Sequence, residues 1–210
     1  MDFNLTEQQL MMQKLFREVA QNEVKENAAD VDENERFPKE SVEVMRQAKM
    51  LGIPYSREYG GAGAGYLCYI LAIEELSKTC ATSGVVLSAH TSLGTWPIAQ
   101  FGTEEQKQRF LTDLCTGKKL AAFGLTEPNA GTDAAGQQTT AVLDGDEYVI
   151  NGTKIFITNA GEADVYVIFA MTDKTKGTRG ISAFILEKGT PGFTFGLHEK
   201  KLGIRGSATC

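Results

Sequence analysis

The chain has 210 residues, of which 42% are hydrophobic and 23% are charged. This length and composition exclude a short disulfide-stabilised peptide and a chain that is disordered in bulk, and they predict one large or two modest hydrophobic cores. The net charge of −6 excludes a general electrostatic attraction to nucleic acid. The four cysteines are widely spaced and only two histidines accompany them, which favours reduced buried thiols over a zinc site.

Targeting signals are not evident. No apolar run approaches the roughly 20 residues that a bilayer-crossing helix needs. The opening Met-Asp-Phe-Asn-Leu has neither the charged-then-apolar pattern of a signal peptide nor the Arg-rich pattern of a transit peptide. We therefore expect no membrane span and a cytoplasmic location.

The first half of the chain shows helical periodicity. Thr6 and Gln9 have capping-box spacing, and the apolar positions after them predict a first helix of about five turns. Its predicted apolar face is formed by Leu10, Met11, Leu15, Val19 and Val24. Four more helices are predicted over residues 38–52, 66–76, 85–101 and 103–117, the last again opened by a capping box. Pro97 is expected to kink or end the fourth.

From Lys119 onward the pattern becomes strand-like. β-Branched and aromatic runs occupy residues 148–150, 155–158, 165–169 and 181–185, separated by Asp-Gly, Asn-Gly and Lys-Gly turns. These runs predict an antiparallel β domain. Helices first and strands second favour an α+β fold with an N-terminal all-helical domain, residues 1–117, and a middle β domain, residues 118–210.

Two glycine-rich segments are candidate binding loops. The cluster at residues 60–65 invites a nucleotide-phosphate reading, but the segment before it is polar and contains Pro54, and its spacing is not that of a dinucleotide fingerprint. We therefore expect a loop between helices there. The second segment, Gly-Leu-Thr-Glu-Pro-Asn-Ala-Gly-Thr-Asp-Ala-Ala-Gly at 124–136, places Thr126 after a strand and then exposes backbone N–H groups around Gly131. This arrangement suits an anionic or carbonyl-rich ligand.

These thirteen residues resemble the first signature of the acyl-CoA dehydrogenase family. Further ordered matches are Leu-Thr-Glu-Gln-Gln at 5–9, Tyr-Gly-Gly-Ala-Gly at 59–63, Phe-Gly-Thr-Glu-Glu-Gln-Lys at 101–107, Asn-Gly-Thr-Lys-Ile-Phe-Ile-Thr-Asn at 151–159 and Leu-Gly-Ile-Arg-Gly-Ser-Ala-Thr at 202–209. The resemblance extends over the whole chain and is strongest to short-chain, butyryl-CoA members. It implies a barrel-like β domain, and it implies that the family's C-terminal helical bundle is absent from this chain.

The resemblance implies FAD as cofactor. Phe123, Gly124 and Leu125 would flank the isoalloxazine, and the backbone and hydroxyl of Thr126 would meet its pyrimidine side.

Further flavin contacts are implied beyond this strand. Gly131 and Thr132 would bind the pyrophosphate. On the later segment Phe156 would cover the ring edge, Ile157 would lie in the same cofactor-binding strand, and Thr158 would hydrogen-bond near flavin N5. Many relatives have tryptophan at the position of Phe156. Phenylalanine keeps the apolar contact there but lacks the indole N–H.

The implied reaction is α,β-dehydrogenation of a short-chain acyl-CoA thioester, butyryl-CoA to crotonyl-CoA, with electrons passed to electron-transferring flavoprotein. Thr132 and Ser207 are the implied contacts to the CoA moiety, and Trp96 is the candidate that shortens the acyl pocket. The family's catalytic base is a glutamate of the C-terminal domain, so it is expected beyond Cys210 and this chain is expected to be inactive alone. A family homotetramer is implied for the parent protein.

Structural roles are the competing interpretations of several residues. Thr158 also suits an ordinary strand and Phe156 a core position. Glu127 suits a hydrogen bond that shapes the Pro128 turn, and His90 suits a hydrogen-bonded core histidine. His198, with the basic residues at 200, 201 and 205, is interpreted as a solvated face, and contact with a CoA phosphate is the alternative. Three alternative functions stay open: an inert flavin- or CoA-binding or assembly module, a nicotinamide enzyme using the cluster at 60–65, and a branched-chain or glutaryl-CoA dehydrogenase relative.

Overall fold

The computed structural model describes residues 4–210, so residues 1–3, which belong to the segment assessed for a leader, lie outside the described part. The α-helices of the described part are α1 (Glu7–Val19), α2 (Lys25–Glu33), α3 (Lys39–Gln47), α4 (Gly65–Thr79), α5 (Ala81–Ser88), α6 (Trp96–Phe101) and α7 (Glu104–Cys115). The strands are β1 (Ala121–Gly124), β2 (Thr140–Asp144), β3 (Glu147–Asn151), β4 (Val165–Met171) and β5 (Ile181–Glu187). Helices therefore precede strands, as an α+β fold requires.

The two predicted capping boxes are present. The hydroxyl of Thr6 accepts from the N–H of Gln9, whose side chain accepts in turn from the N–H of Thr6, and Thr103 and Gln106 make the same exchange before α7. Each box satisfies backbone donors that the first helical turn leaves without a partner. The starts of α1 and α7 are thus confirmed.

The first predicted helix differs from the observed one in length and in its buried face. A π-helical turn, Ala20–Val24, joins α1 to α2, so helical structure continues to Glu33. Leu10, Met11 and Leu15 of the predicted stripe are exposed, whereas Phe16 and Val19 are buried. The helix is apolar on more than one side, and periodicity alone does not identify the side that packs.

The predicted fourth helix is divided in two. A π-helical segment, Ala89–Thr95, separates α5 from α6, and Pro97 lies in the first turn of α6, where its missing N–H is tolerated. A Cβ atom on Gly94 would lie 2.4 Å from the Cβ of Ala121. The π segment therefore packs directly on β1, and only glycine permits that distance.

The sheet has five strands and is mixed, so the prediction of an antiparallel, barrel-like domain is wrong in this respect. β4 pairs with β1 in parallel, meets β2 in parallel at its last residue, and pairs antiparallel with β5 along its length. Only β2–β3 and β4–β5 are antiparallel, and the sheet is open. The reason is the long excursion between β1 and β4, which returns the chain in the same direction.

The predicted strand at 155–158 is also absent. Phe156 has φ +58° and Asn159 has φ +66°, both left-handed values that interrupt an extended strand. Thr158 forms only an isolated bridge with Thr209. The β-branched composition of this segment predicts a strand, but tertiary contacts hold it as an irregular connection.

Two hydrophobic clusters of the described residues join the helices to the sheet. Phe16 of α1, Leu87 of α5 and Tyr166 of β4 are fully buried members of the first, and Leu111 of α7 and Ala121 of β1 belong to the second. The sheet edge that carries the candidate site is therefore fixed against the helical part.

Two further observations concern residues 4–210 alone. None of their helices has both the length and the apolar character needed to cross a membrane. They also hold no group of three His, Cys, Asp or Glu side chains arranged for a metal ion.

Candidate functional site

Strand β1 delivers the chain to the candidate loop. Phe123 pairs in register with Val167 of β4, and its ring lies 5.1 Å from that of Phe169. A Cβ on Gly124 would lie 2.4 Å from Cδ1 of Ile168, so glycine is needed where the strand ends. Half-buried Leu125 and Thr126 follow at this end of the strand.

Glu127 shapes the turn that follows. Its backbone exchanges hydrogen bonds of 3.1 Å with Ala130 in both directions. Its carboxylate accepts from the backbone N–H groups of Gln138 and Thr139, the latter at 3.0 Å, and from Lys154 at 2.7 Å. Burial raises the pKa of Glu127, but these hydrogen bonds outweigh it and hold the pKa at about 2. Glu127 is therefore an ionised structural anchor of the turn.

Lys154 completes this anchor, and the sequence analysis gave it no role. Its ammonium donates to the carbonyl of Leu125 at 3.0 Å, to Glu127, and to the side-chain oxygen of Gln137 at 3.2 Å. Burial lowers the pKa of Lys154 and the neighbouring carboxylate opposes that change. The same contact is the largest of the hydrogen-bond contributions that lower the pKa of Glu127. A lysine in a β-rich stretch normally predicts an exposed side chain, so the sequence signal was weak.

The segment after Lys154 lies alongside the loop. The N–H of Ile155 donates to the carbonyl of Thr126 at 2.9 Å. Phe156 combines its left-handed backbone with a side chain that is 59% exposed, a strained and solvent-facing arrangement for a large apolar residue. The carbonyl of Ile157 accepts from the N–H of Cys210, and Ile157 itself is buried.

Free donors lie on the loop after β1 and on the segment hydrogen-bonded to it. In the bridge between Thr158 and Thr209, the hydrogen bonds are made by Ile157 and Asn159, the neighbours of Thr158. The N–H and hydroxyl of Thr158 itself have no protein acceptor among the described residues. The N–H and hydroxyl of Thr126 are likewise free in the described part, because only its carbonyl is used. On the adjoining turn, Gly131 and Thr132 are exposed and their N–H groups donate to no described protein atom.

The glycine cluster at 60–65 differs from this loop in one decisive respect. The N–H groups of residues 60–64 all donate to protein carbonyls, at 2.8–3.1 Å. A Cβ on Gly61 would lie 2.3 Å from the carbonyl oxygen of Tyr55. Residues 60–64 thus form a tightly packed connection into α4 whose backbone donors are all used, in line with the loop between helices that the sequence context predicts.

The predicted residues fall into one group and two outliers. Phe123, Gly124, Leu125 and Thr126 at the end of β1 adjoin the segment with Phe156, Ile157 and Thr158, and Gly131 and Thr132 belong to the same loop. Trp96 lies apart on α6, where its ring meets that of Phe101 edge-on at 5.4 Å.

Ser207 lies apart on the C-terminal segment. Its side chain is buried, its Oγ has no partner, and it lines a cavity of about 290 Å³ with Glu35, Glu162 and His198. Of the basic residues near it, Lys201 donates to the carbonyl of Ser207 at 2.8 Å and Arg205 pairs with Glu35. His198 is exposed, in line with a solvated face.

Two buried polar residues position β1. His90 is fully buried and accepts from the N–H of Ala121 at 3.0 Å, while its other ring nitrogen contacts the carbonyl of Leu114 at 3.1 Å. Burial lowers the pKa of His90 to about 4. The predicted core histidine is therefore present. Asn159, which ends the motif at 151–159 and received no role from the sequence, donates to carbonyls of Val86 and Ala121.

Together these features define an α+β protein in which helices brace an open mixed sheet, with a ligand loop at the carboxyl end of its first strand. A family model for the acyl-CoA dehydrogenase N-terminal domain matches residues 6–118, and one for the acyl-CoA dehydrogenase middle domain matches residues 122–210. The chain belongs to the acyl-CoA dehydrogenase family.

Similar proteins carry names of the same kind. A short-chain specific acyl-CoA dehydrogenase of Clostridium acetobutylicum is 64% identical over 209 residues, covering 100% of this chain and 55% of the relative. The structure of butyryl-CoA dehydrogenase from Megasphaera elsdenii superposes with TM-score 0.95 at 50% identity, covering 100% of this chain and 56% of that one. The chain thus spans about half the length of the curated relatives it matches.

Two further solved structures bear on cofactor and partner. A chain from a study of the electron transferring flavoprotein of Acidaminococcus fermentans and flavin-based electron bifurcation has TM-score 0.96 and 53% identity, covering 100% of this chain and 55% of that one. An acyl-CoA dehydrogenase complexed with FAD from Bacillus anthracis has TM-score 0.89 and 36% identity, covering 98% of this chain and 35% of that one.

Proposed function

We propose that this chain forms the flavin-binding part of an FAD-dependent dehydrogenase that converts a short-chain acyl-CoA, of the butyryl-CoA type, to its trans-2-enoyl-CoA. The observation that carries the proposal is the set of free donors on the loop after β1, at Thr126, Gly131 and Thr132, and on Thr158 of the segment that is hydrogen-bonded to this loop and carries the exposed ring of Phe156. Membership of the acyl-CoA dehydrogenase family supports it.

The donor set fits the groups of FAD. Free backbone N–H groups on an exposed loop suit a pyrophosphate, which assigns Gly131 and Thr132 to that part. The N–H and hydroxyl of Thr126 suit the carbonyls of the pyrimidine ring, with Phe123, Gly124 and Leu125 forming the strand beneath. Phe156 supplies an apolar cover for a flat ring, and the hydroxyl of Thr158 suits flavin N5.

The reaction needs more than this loop. Bound FAD supplies the acceptor for the hydride that leaves the β-carbon of the substrate. The residues of this chain bind and orient the flavin and the substrate. Thr158 holds the edge of the flavin that carries N5, and Thr132 and Ser207 contact the CoA moiety. Proton removal from the α-carbon needs a carboxylate base, and the thioester carbonyl needs hydrogen-bond donors. Glu127, whose carboxylate accepts from two backbone N–H groups and Lys154, is not that base.

Partners and organisation follow the same proposal. Electrons leave to electron-transferring flavoprotein, and the parent protein forms the family homotetramer in the cytoplasm. Residues 1–117 and residues 118–210 are the N-terminal and middle domains of this assembly, packed on shared hydrophobic clusters. The unpaired Oγ of buried Ser207, which lines a cavity, supports a polar ligand group there.

The proposal is tested with the native protein that contains these 210 residues, expressed to its own stop codon. We expect a visible flavin spectrum that bleaches when butyryl-CoA is added without oxygen, and that bleaches more slowly with octanoyl-CoA. Isovaleryl-CoA and glutaryl-CoA serve as comparison substrates. A folded protein that takes up no FAD would contradict the proposal and favour an assembly module, and faster bleaching by a branched-chain or glutaryl thioester would overturn the substrate assignment.

A further inference from the structure

Lys154 is the most constrained charged side chain of the candidate site. Its side chain is 8% exposed and that of Glu127 is 4% exposed. Its three ammonium protons all have acceptors: the carbonyl of Leu125, the carboxylate of Glu127 and the side-chain oxygen of Gln137. Desolvating two charges is unfavourable unless the geometry and the additional hydrogen bonds compensate. Such a fully satisfied pair therefore fixes the backbone around it tightly.

The pair connects three separate stretches of chain. Lys154 reaches the end of the β1 segment through Leu125, and Glu127 reaches the residues before β2 through the N–H groups of Gln138 and Thr139. Thr126 lies between the two residues that Lys154 holds. Its carbonyl is bound in turn by the N–H of Ile155, next to Lys154. The N–H and hydroxyl are then the only polar groups of Thr126 that stay available.

We propose that Lys154 is a positioning residue for the flavin: it acts through Leu125 and Glu127 to hold the donors of Thr126 in place for the pyrimidine ring. This inference rests on the proposed function. Without the ammonium group, the carbonyl of Leu125 and the carboxylate of Glu127 lose their shared donor inside the protein. The stretch between them then relaxes, and the donors of Thr126 no longer keep one direction.

The main test variant is the double substitution Lys154→Met with Glu127→Gln in the native protein that contains this chain. Lys154→Met alone leaves a buried carboxylate without a counter-charge and is expected to fold poorly, whereas the double variant removes both charges together. The control is Arg17→Met, after which the buried carboxylate of Glu75 still has Lys78 as a counter-charge at 3.1 Å. Arg17 donates two hydrogen bonds of 3.0 Å to the buried carboxylate of Glu75, and this pair joins α1 to α4 away from the candidate loop.

The measurements are the urea unfolding midpoint, the dissociation constant for FAD from quenching of flavin fluorescence, and the reduction potential of the bound flavin. We expect the double variant to bind FAD about tenfold or more weakly. Its potential should also fall, because fewer aligned donors stabilise the electron-rich reduced ring. Arg17→Met should lower the urea midpoint and leave the FAD dissociation constant and the flavin potential unchanged.

The outcomes separate the two proposals. A folded double variant whose FAD affinity and flavin potential equal those of the unsubstituted protein overturns the role of Lys154 and leaves the proposed function intact. If Arg17→Met weakens FAD binding as much as the double variant does, the effect is a general destabilisation, and the proposed role of Lys154 is again overturned. An unsubstituted, folded protein that binds no FAD contradicts the proposed function itself.

Discussion

His90 accepts a hydrogen bond from the backbone N–H of Ala121, the first residue of β1, at 3.0 Å. Because a backbone amide can only donate, this Nδ1 carries no proton, and the proton of the neutral ring lies on Nε2, which donates to the carbonyl of Leu114. The fully buried ring thus connects the π-helical segment to the end of α7 and the start of the sheet. Protonating it would force two donors together.

The first prediction concerns pH. Burial lowers the pKa of His90 to about 4 from an ordinary value of 6.5. The unfolded chain therefore takes up the proton first as the pH falls, so the free energy of unfolding that His90 provides is present above pH 6.5 and is lost between about 6.5 and 4. The loss approaches about 1.4 kcal/mol per pH unit in that window. Urea unfolding at a series of pH values measures it.

The controls for this prediction use both histidines. His90→Leu should remove this part of the pH slope, and it should cost about 1–3 kcal/mol for each backbone group left without a partner. His198→Gln, at an exposed position, should keep the slope. A His90→Leu variant with the same pH dependence as the unsubstituted protein would show that this ring does not titrate on unfolding.

Gly131 gives a second prediction. A Cβ built on it meets no atom within 4 Å, and its φ is not left-handed, so Gly131→Ala should fold with a stability change of at most about 0.5 kcal/mol. If the FAD pyrophosphate approaches this backbone closely, the added methyl group obstructs it. We expect FAD binding weakened about tenfold, measured by fluorescence quenching. Gly196→Ala, equally open in the structure, is the control and should bind FAD normally. Equal affinities for both variants would remove Gly131 from the site.

Thr158 gives a third prediction. Its hydroxyl has no acceptor or donor among the described residues, so Thr158→Val removes no intramolecular hydrogen bond and should leave the unfolding midpoint nearly unchanged. If the hydroxyl serves flavin N5, anaerobic flavin reduction by butyryl-CoA should slow about tenfold, the effect of losing one hydrogen bond. Thr153→Val, at an exposed position on the same segment, should reduce at the unsubstituted rate. Unchanged stopped-flow rates in Thr158→Val would assign this threonine to structure alone.

Local chemistry explains which parts of the fold were predictable. Thr6 and Thr103 predict the starts of their helices because a capping box acts within one turn. The buried apolar run of β4 predicts a strand from composition alone. The direction of pairing was not predictable, since β1 has only four residues and nothing local shows that it runs parallel to β4. The left-handed backbone of Phe156 was also not predictable from the sequence, because its neighbours favour an extended strand.

The candidate site divides in the same way. Its loop is visible in the sequence because glycine, threonine and proline shape turns by local geometry. Lys154 and Asn159 stayed without a role, since each acts through partners distant in the chain: Lys154 through Leu125 and Glu127, Asn159 through Val86. A buried lysine is uncommon, and its burial is explained only by the carboxylate that it contacts in the fold.

Trp96 gives the last prediction. Trp96 is the first residue of α6, and its half-buried ring lies edge-on to that of Phe101. It directly follows the π-helical segment, which packs on β1 at Gly94. If Trp96 borders the acyl pocket and shortens it, Trp96→Ala should raise kcat/KM for octanoyl-CoA relative to butyryl-CoA about tenfold, within the range of about 1–3 kcal/mol that pocket contacts provide. Trp96→Phe keeps an aromatic ring and should shift the ratio much less. Chain-length profiles of the two variants measure the effect, and an unchanged profile in Trp96→Ala would place the acyl pocket elsewhere.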